Sequence, residues 1–127
     1  MRTIAEDFRW ASKEEKIRYC VNRILEASDA NQAERKIRET LRRMGADEEI
    51  LAEAFALARE QGAPPERKKA ERLAAERLRD CSQENPPSPQ RIRRLLAKLA
   101  YAGFEEEILE EIREKLAYQY DLEDFFS

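Results

Sequence analysis

The chain has 127 residues, 40% of them charged and 42% hydrophobic, with three glycines, five prolines and no histidine. That length suits one ordinary domain, so any internal duplication is expected to share a core or interface, and the composition favours long surface-charged helices over a turn-rich antiparallel sheet. Lack of histidine excludes Ser-His-Asp chemistry, His-containing zinc sites and His-based pH switches, while a net charge of -3 and a sequence pI of about 5.3 count against a globally basic nucleic-acid binder.

Met1 to Ser12 carries Glu6 and Asp7 and no apolar run. No stretch approaches the roughly 18 apolar residues of a membrane span, so the expected setting is the cytoplasm, with no secretory leader and no membrane partner. Ser12 with Glu15 has the spacing of a capping box ahead of Ile17, Val21, Ile24 and Leu25, which predicts a first helix from about Lys13 to Ala27. Asn31 with Glu34 repeats the signal before a second helix carrying Ile37, Leu41 and Met44 and stopped by Gly45. Asp47 caps a third helix, with Ile50, Leu51, Ala54, Phe55 and Ala58 on one face and Gly62 as its stop. Ala63, Pro64 and Pro65 form a hinge, and Glu66 to Asp80 makes a fourth helix with Ala70, Leu73, Ala74 and Leu78 inward. Cys81 to Pro87 is the longest loop. Ser88 and Pro89 start a fifth helix with Ile92, Leu95, Leu96, Leu99 and Ala102, closed by Gly103, and Ile108, Leu109, Ile112 and Leu116 mark a sixth.

Superposing Gly45 on Gly103, an offset of 58 residues, brings Ile37 onto Leu95, Leu41 onto Leu99, Glu48 and Glu49 onto Glu106 and Glu107, and Ile50 and Leu51 onto Ile108 and Leu109. Arg35 and Lys36 meet Arg93 and Arg94. The expected fold class is therefore all-α, with six helices in two tandem three-helix repeats packed through their apolar faces. The divisions are an N-terminal extension over 1–12, a first unit over 13–62, a second over 63–117, and an acidic-aromatic C-terminal tail over 118–127.

The string from Arg35 to Leu51, a basic Ile/Leu-patterned helix ending at Gly45 and followed by the acidic Asp47-Glu48-Glu49, resembles the repeat of the RecX regulatory proteins. Arg91-Ile92-Arg93-Arg94-Leu95-Leu96 through Gly103-Phe104-Glu105-Glu106-Glu107-Ile108 looks like a second copy, closer to that family's last repeat. The similarity covers roughly residues 17 to 116 under the two-unit reading. A third repeat and the family's Asp-rich linker with an aromatic-Ala pair have no counterpart, which fits either a short or divergent member or a relative in architecture alone. The resemblance implies a non-enzymatic modulator that lies in the groove of a RecA-type recombinase filament. There it hinders filament extension, strand exchange and stimulated repressor cleavage.

Charge segregation supplies the candidate contact surface. Arg35, Arg38 and Arg42 stand at i, i+3 and i+7, and Arg91, Arg93, Arg94 and Lys98 share the fifth helix with no acidic residue. As a set they are candidates to face the filament or, weakly and without sequence preference, the phosphate backbone of DNA, since the guanidinium fork suits carboxylates and phosphates alike. The competing reading is internal: Glu48, Glu49, Glu53, Glu105, Glu106, Glu107, Glu110 and Glu111 on adjacent helices answer these arginines in solvated pairs worth under about 1 kcal/mol each. Only Tyr101 and Phe104 lie near the basic row, and Phe104 reads as a core plug, so neither base-edge readers nor a ladder of stacking platforms is evident. A helix-turn-helix-like DNA-binding regulator remains the alternative from another class.

Six of the ten aromatics lie near the ends: Phe8, Trp10, Tyr118, Tyr120, Phe125 and Phe126. Either both ends fold back over helix faces, or the tail is a recognition segment of a helical adaptor. No phosphate-cradling glycine loop, calcium loop or cofactor motif is present, and the exposed carboxylates lack the desolvation that acid/base work needs, so neither enzymatic chemistry nor a cofactor or small-molecule substrate is expected. Cys20 and Cys81 suit small buried hydrophobes in a reducing compartment, with one disulfide between them as the alternative.

Overall fold

The structure, a computed structural model, describes residues 8–122. Every regular element among them is helical: α1 Lys13–Asp29, α2 Glu34–Arg43, α3 Glu48–Glu60, α4 Glu66–Arg77, α5 Pro89–Tyr101 and α6 Glu106–Gln119, preceded by a helical turn at residues 8–10. The chain divides into two compact units after Pro65, just beyond the Gly62 stop, and each holds three of these helices.

In unit 1 the Ser12 hydroxyl accepts the Glu15 N–H at 3.1 Å and starts α1. Asn31 does not cap α2 as its spacing with Glu34 suggests. It adopts φ +60° and closes α1, its N–H reaching Ser28 O at 3.0 Å while Gln32 N–H reaches Ala27 O at 2.9 Å. Asparagine tolerates this left-handed conformation because its short amide bonds locally. Ala33, which is buried, then opens α2 without a side-chain cap. Gly45, at φ +108°, ends α2 with the same pair of bonds, Gly45 N–H to Arg42 O and Ala46 N–H to Leu41 O, both 3.0 Å. Two residues on, the Asp47 carboxylate accepts the Ile50 N–H at 2.9 Å and starts α3.

The core of unit 1 joins Cys20, Val21 and Ile24 of α1 to Ile37 and Leu41 of α2 and to Ile50, Leu51, Ala54, Phe55 and Ala58 of α3. α1 packs chiefly against α3. The fully buried Ala54 and Ala58, one turn apart, leave room for that approach. Phe8, placed by its position in the 1–12 extension, belongs to this core and meets Tyr19 edge-on with centroids 5.6 Å apart.

Unit 2 follows related rules with different side chains. Ser88 accepts the Arg91 N–H at 3.1 Å, and Pro89 fills the first turn of α5, where a missing N–H leaves no bond unmade. Gly103, at φ +102°, ends α5 through Gly103 N–H to Ala100 O at 3.0 Å and Phe104 N–H to Leu99 O at 3.2 Å. Glu105 stands where Asp47 stands 58 residues earlier, but makes no side-chain cap bond; its carboxylate sits one methylene further from the backbone. Ala70, Ala74 and Leu78 pack with Ile92, Leu95, Leu96 and Leu99, with Phe104, and with Ile108, Ile112 and Leu116 as the buried set. Leu73, Ala102 and Leu109, expected inward, are half-buried.

Two boundaries and one buried side chain differ from expectation. α4 ends at Arg77 rather than Asp80, with residues 78–80 in a turn that still buries Leu78. The predicted tail begins too early: α6 runs through Tyr118 to Gln119, and Tyr120 is buried, so the described residues 118–122 continue unit 2. Phe125 and Phe126 lie outside the described residues. Lys69, which no periodicity marks as inward, is only 3% exposed. Its Nζ lies 2.6 Å from Glu66 one turn back, and a lysine can bury its apolar stem while its charge stays paired. The aromatic ends therefore divide, Phe8 and Tyr120 packing while Trp10 and Tyr118 are 73% and 91% exposed.

Phe8→Ala is expected to destabilise unit 1 by about 3–5 kcal/mol, the cost of removing a buried aromatic ring. Trp10→Ala should stay within about 0.5 kcal/mol. Urea unfolding followed by circular dichroism separates the two.

Candidate functional site

The seven cations of the basic row lie on two helices in two different units. On α2, Arg38 is tied down twice: Nε and Nη2 donate to Glu34 Oε1 at 3.1 and 2.8 Å, and the guanidinium sits 4.4 Å from the centroid of the Phe55 ring. Arg59 from α3 also approaches Glu34, at 3.4 Å. Arg42 Nε donates to Glu48 Oε1 at 2.7 Å, linking the end of α2 to the start of α3, and the neighbouring Arg43 pairs with Glu39 at 2.7 Å. Arg35 is exposed and forms no ion pair among the described residues.

On α5, Arg91 is held on three sides. Its Nη1 donates to Asp80 Oδ2 at 2.9 Å, and its Nη2 donates to Asp80 Oδ1 at 2.5 Å and to the Arg77 carbonyl at 2.8 Å. This bidentate clamp ties the turn after α4 to the first turn of α5. Arg93, Arg94 and Lys98 are exposed, and neither Arg94 nor Lys98 forms an ion pair among the described residues. Arg77, Ser88, Arg91, Arg94 and Lys98 surround an open depression of about 480 Å³ floored by Leu78 and Leu95.

The acidic helices draw most of their partners from outside the row. Lys13 reaches Glu49 at 2.5 Å and Glu53 at 4.0 Å. Arg67 holds Glu111 at 2.7 and 3.0 Å with Glu107 at 3.5 Å, Arg113 pairs with Glu110, and Lys115 pairs with Glu71. Lys13 and Arg67 carry no periodic signal as members of a site. Each sits in the first turn of its helix, facing an acidic helix packed alongside.

Several of these contacts shift protonation. The Arg91 hydrogen bond holds the Asp80 carboxyl below its ordinary value of 3.8. The bonds from Arg42 and Arg67 likewise hold Glu48 and Glu111 below 4.5. Burial pushes the Cys20 thiol up to about 11, so near neutrality it is a protonated hydrophobe rather than a nucleophile. Cys20 is buried, Cys81 is half-exposed, and both are free thiols. Among the described residues, no three His, Cys, Asp or Glu side chains converge where a metal ion could sit, and no helix is long and apolar enough to cross a membrane.

No known family model, curated protein or solved structure matches the chain. The arrangement that stands on its own geometry is a pair of basic helices, α2 and α5. Each uses some arginines to fix the neighbouring segment and presents others to solvent.

Two outcomes follow. A carboxyl held low in the folded state contributes stability that is complete above its unfolded value and lost as pH falls through its folded value. Stability should therefore hold from about pH 5 to 8 and decline below about pH 4. Combining Asp80→Asn, Glu48→Gln and Glu111→Gln should flatten that acid limb in pH-dependent urea titrations. With a thiol reagent at neutral pH, Cys81 should label first and Cys20 only as unit 1 opens, as mass spectrometry of Cys81→Ser against Cys20→Ser would record.

Proposed function

We propose that the chain is a non-enzymatic, cytoplasmic regulatory protein of the RecX type, built of two tandem three-helix repeats. It binds a RecA-type recombinase filament and hinders strand exchange and stimulated repressor cleavage. The observation that carries this reading is the recurrence of one junction in both strings that resemble the family repeat. In each, a basic helix closes through a left-handed glycine, Gly45 or Gly103, with matching pairs of backbone hydrogen bonds, and an acidic helix follows.

Within the row, the two kinds of arginine have different tasks. Arg42 and Arg91 fix helix junctions through Glu48 and Asp80, and Arg38, bonded to Glu34 one turn back, rests on the Phe55 ring of α3. Arg35, Arg93, Arg94 and Lys98 are exposed and engage the filament, where rows of charge fix register and speed encounter more than they raise affinity.

The test is a strand-exchange assay with a RecA-type recombinase on single-stranded DNA. The unmodified chain should inhibit exchange, and the combined Arg35→Glu, Arg94→Glu and Lys98→Glu variant should lose inhibition at least ten-fold in potency (~1.4 kcal/mol) with unchanged helicity. Inhibition that survives the triple reversal, or an unmodified chain that does not inhibit, removes the reading.

A further inference from the structure

Within unit 2, α4 and α6 lie against each other and leave an open concavity of about 430 Å³ where Cys81 follows the turn after α4. That size falls within the roughly 300–1,000 Å³ of small-molecule sites. Leu78, Ile112 and Leu116 form its apolar floor, and Arg79, Lys115 and Tyr120 stand around it with Cys81. None of the exposed cations assigned to the filament, Arg35, Arg93, Arg94 and Lys98, borders it.

Two groups here are left without an internal task, the hydroxyl of Tyr120 and the thiol of Cys81. Tyr120 is 7% exposed, yet its hydroxyl makes no hydrogen bond among the described residues. No wholly buried side-chain oxygen lacks a partner, so this hydroxyl must reach open space, and the open space it shares with its electrostatic neighbour Cys81 is this concavity. Burial and, after it, the Cys81 charge hold the phenol above its ordinary value of 10.0, which keeps it a hydrogen-bond donor near neutrality. Cys81 is a free, half-exposed thiol, and thiols in partly open, cation-bearing surroundings are the ones that react. Arg79 is exposed and forms no ion pair among the described residues, while Lys115 pairs with Glu71 on the same rim.

We propose that this concavity is a modification site for a small peptide disulfide of the glutathione class. Cys81 is the sulfur that is capped, Arg79 and Lys115 receive the peptide's carboxylates, and the Tyr120 hydroxyl donates to one of its carbonyls. The Cys81 thiol gives up its proton and its sulfur attacks one sulfur of the incoming disulfide. A new S–S bond forms as the old one breaks, and the departing thiolate takes up a proton in place of the one released. The disulfide is itself the oxidant, and excess reduced thiol reverses the cap. An alkyl disulfide would engage the thiol and leave the cations and the phenol idle. A fatty or aromatic acid would use the cations and the floor and leave the thiol idle. The filament assay contains no disulfide and this test no recombinase, so either reading can fail while the other stands.

The measurement is the rate of mixed-disulfide formation on the folded full chain at neutral pH, read by intact mass and located by peptide mapping. Oxidised glutathione is compared with cystamine, which carries amines and no carboxylates, and with bis(2-hydroxyethyl) disulfide, which carries no charge. Dividing each rate by that on N-acetylcysteine amide removes intrinsic differences between the reagents. The normalised rate at Cys81 should be at least about ten-fold higher with oxidised glutathione than with either comparator. Arg79→Glu should lower it about ten-fold and Tyr120→Phe about five-fold, with the hydroxyethyl rate and the circular dichroism unchanged. Tyr120→Phe keeps every charge, so its loss separates docking from charge attraction alone. Equal normalised rates for the three reagents overturn the proposal, as does absence of a Cys81 adduct or an unchanged glutathione rate in Tyr120→Phe.

Discussion

The residue that follows a left-handed helix stop is turned back toward the helix just completed, because its N–H must reach a carbonyl five positions earlier. Ala46 and Phe104 occupy that place after Gly45 and Gly103, and both are buried. The stop therefore seats a side chain in the core and sets where the next helix begins, two residues later in each case. It also brings the basic end of one helix beside the acidic start of the next, which is how Arg42 comes to lie 2.7 Å from Glu48. Fixing φ above zero without a Cβ penalty is the property of glycine on which this arrangement rests.

Features governed by local chemistry were legible in the sequence. Ser12, Asp47 and Ser88 cap helices through side chains that reach a backbone N–H three residues on, and the apolar spacing within each helix marks most of the buried face. Asn31 misleads because the same short amide suits a helix start and a left-handed helix end, and only the neighbouring geometry selects between them. Lys69 escapes a hydropathy pattern because a hydropathy scale counts its charge and not its four-carbon stem, and its burial rests on Glu66 taking up that charge. The candidate site was legible as a list of cations and not as a surface. Asp80, which clamps Arg91, lies in a turn outside any helical period, and the pairing of Lys13 with Glu49 spans 36 positions of sequence.

Arginine serves two ends in this chain with one functional group. Where a carboxylate stands within reach of the fork, as for Arg38, Arg42, Arg67 and Arg91, the cation becomes part of the scaffold and its remaining donors have fixed directions. Where none does, as for Arg35 and Arg94 among the described residues, the same group stays hydrated and open to an outside anion. The carboxylate often comes from another segment, as Glu48 does for Arg42, Glu111 for Arg67 and Asp80 for Arg91.

Arg38 resting on Phe55 has a further consequence when the chain is compared with itself. At the positions 58 residues on stand Leu96 and Arg113, so the cation and the apolar side chain have changed helices. Leu96 is buried and Arg113 is half-buried, with Glu110 as its partner. If α2 docked on α6 during folding, Arg38 would face Arg113, two like charges in place of a cation over a ring. Tandem segments of similar pattern are prone to exchange partners while they fold. This inversion of polarity penalises that exchange and favours α2 docking on α3, the helix that follows it.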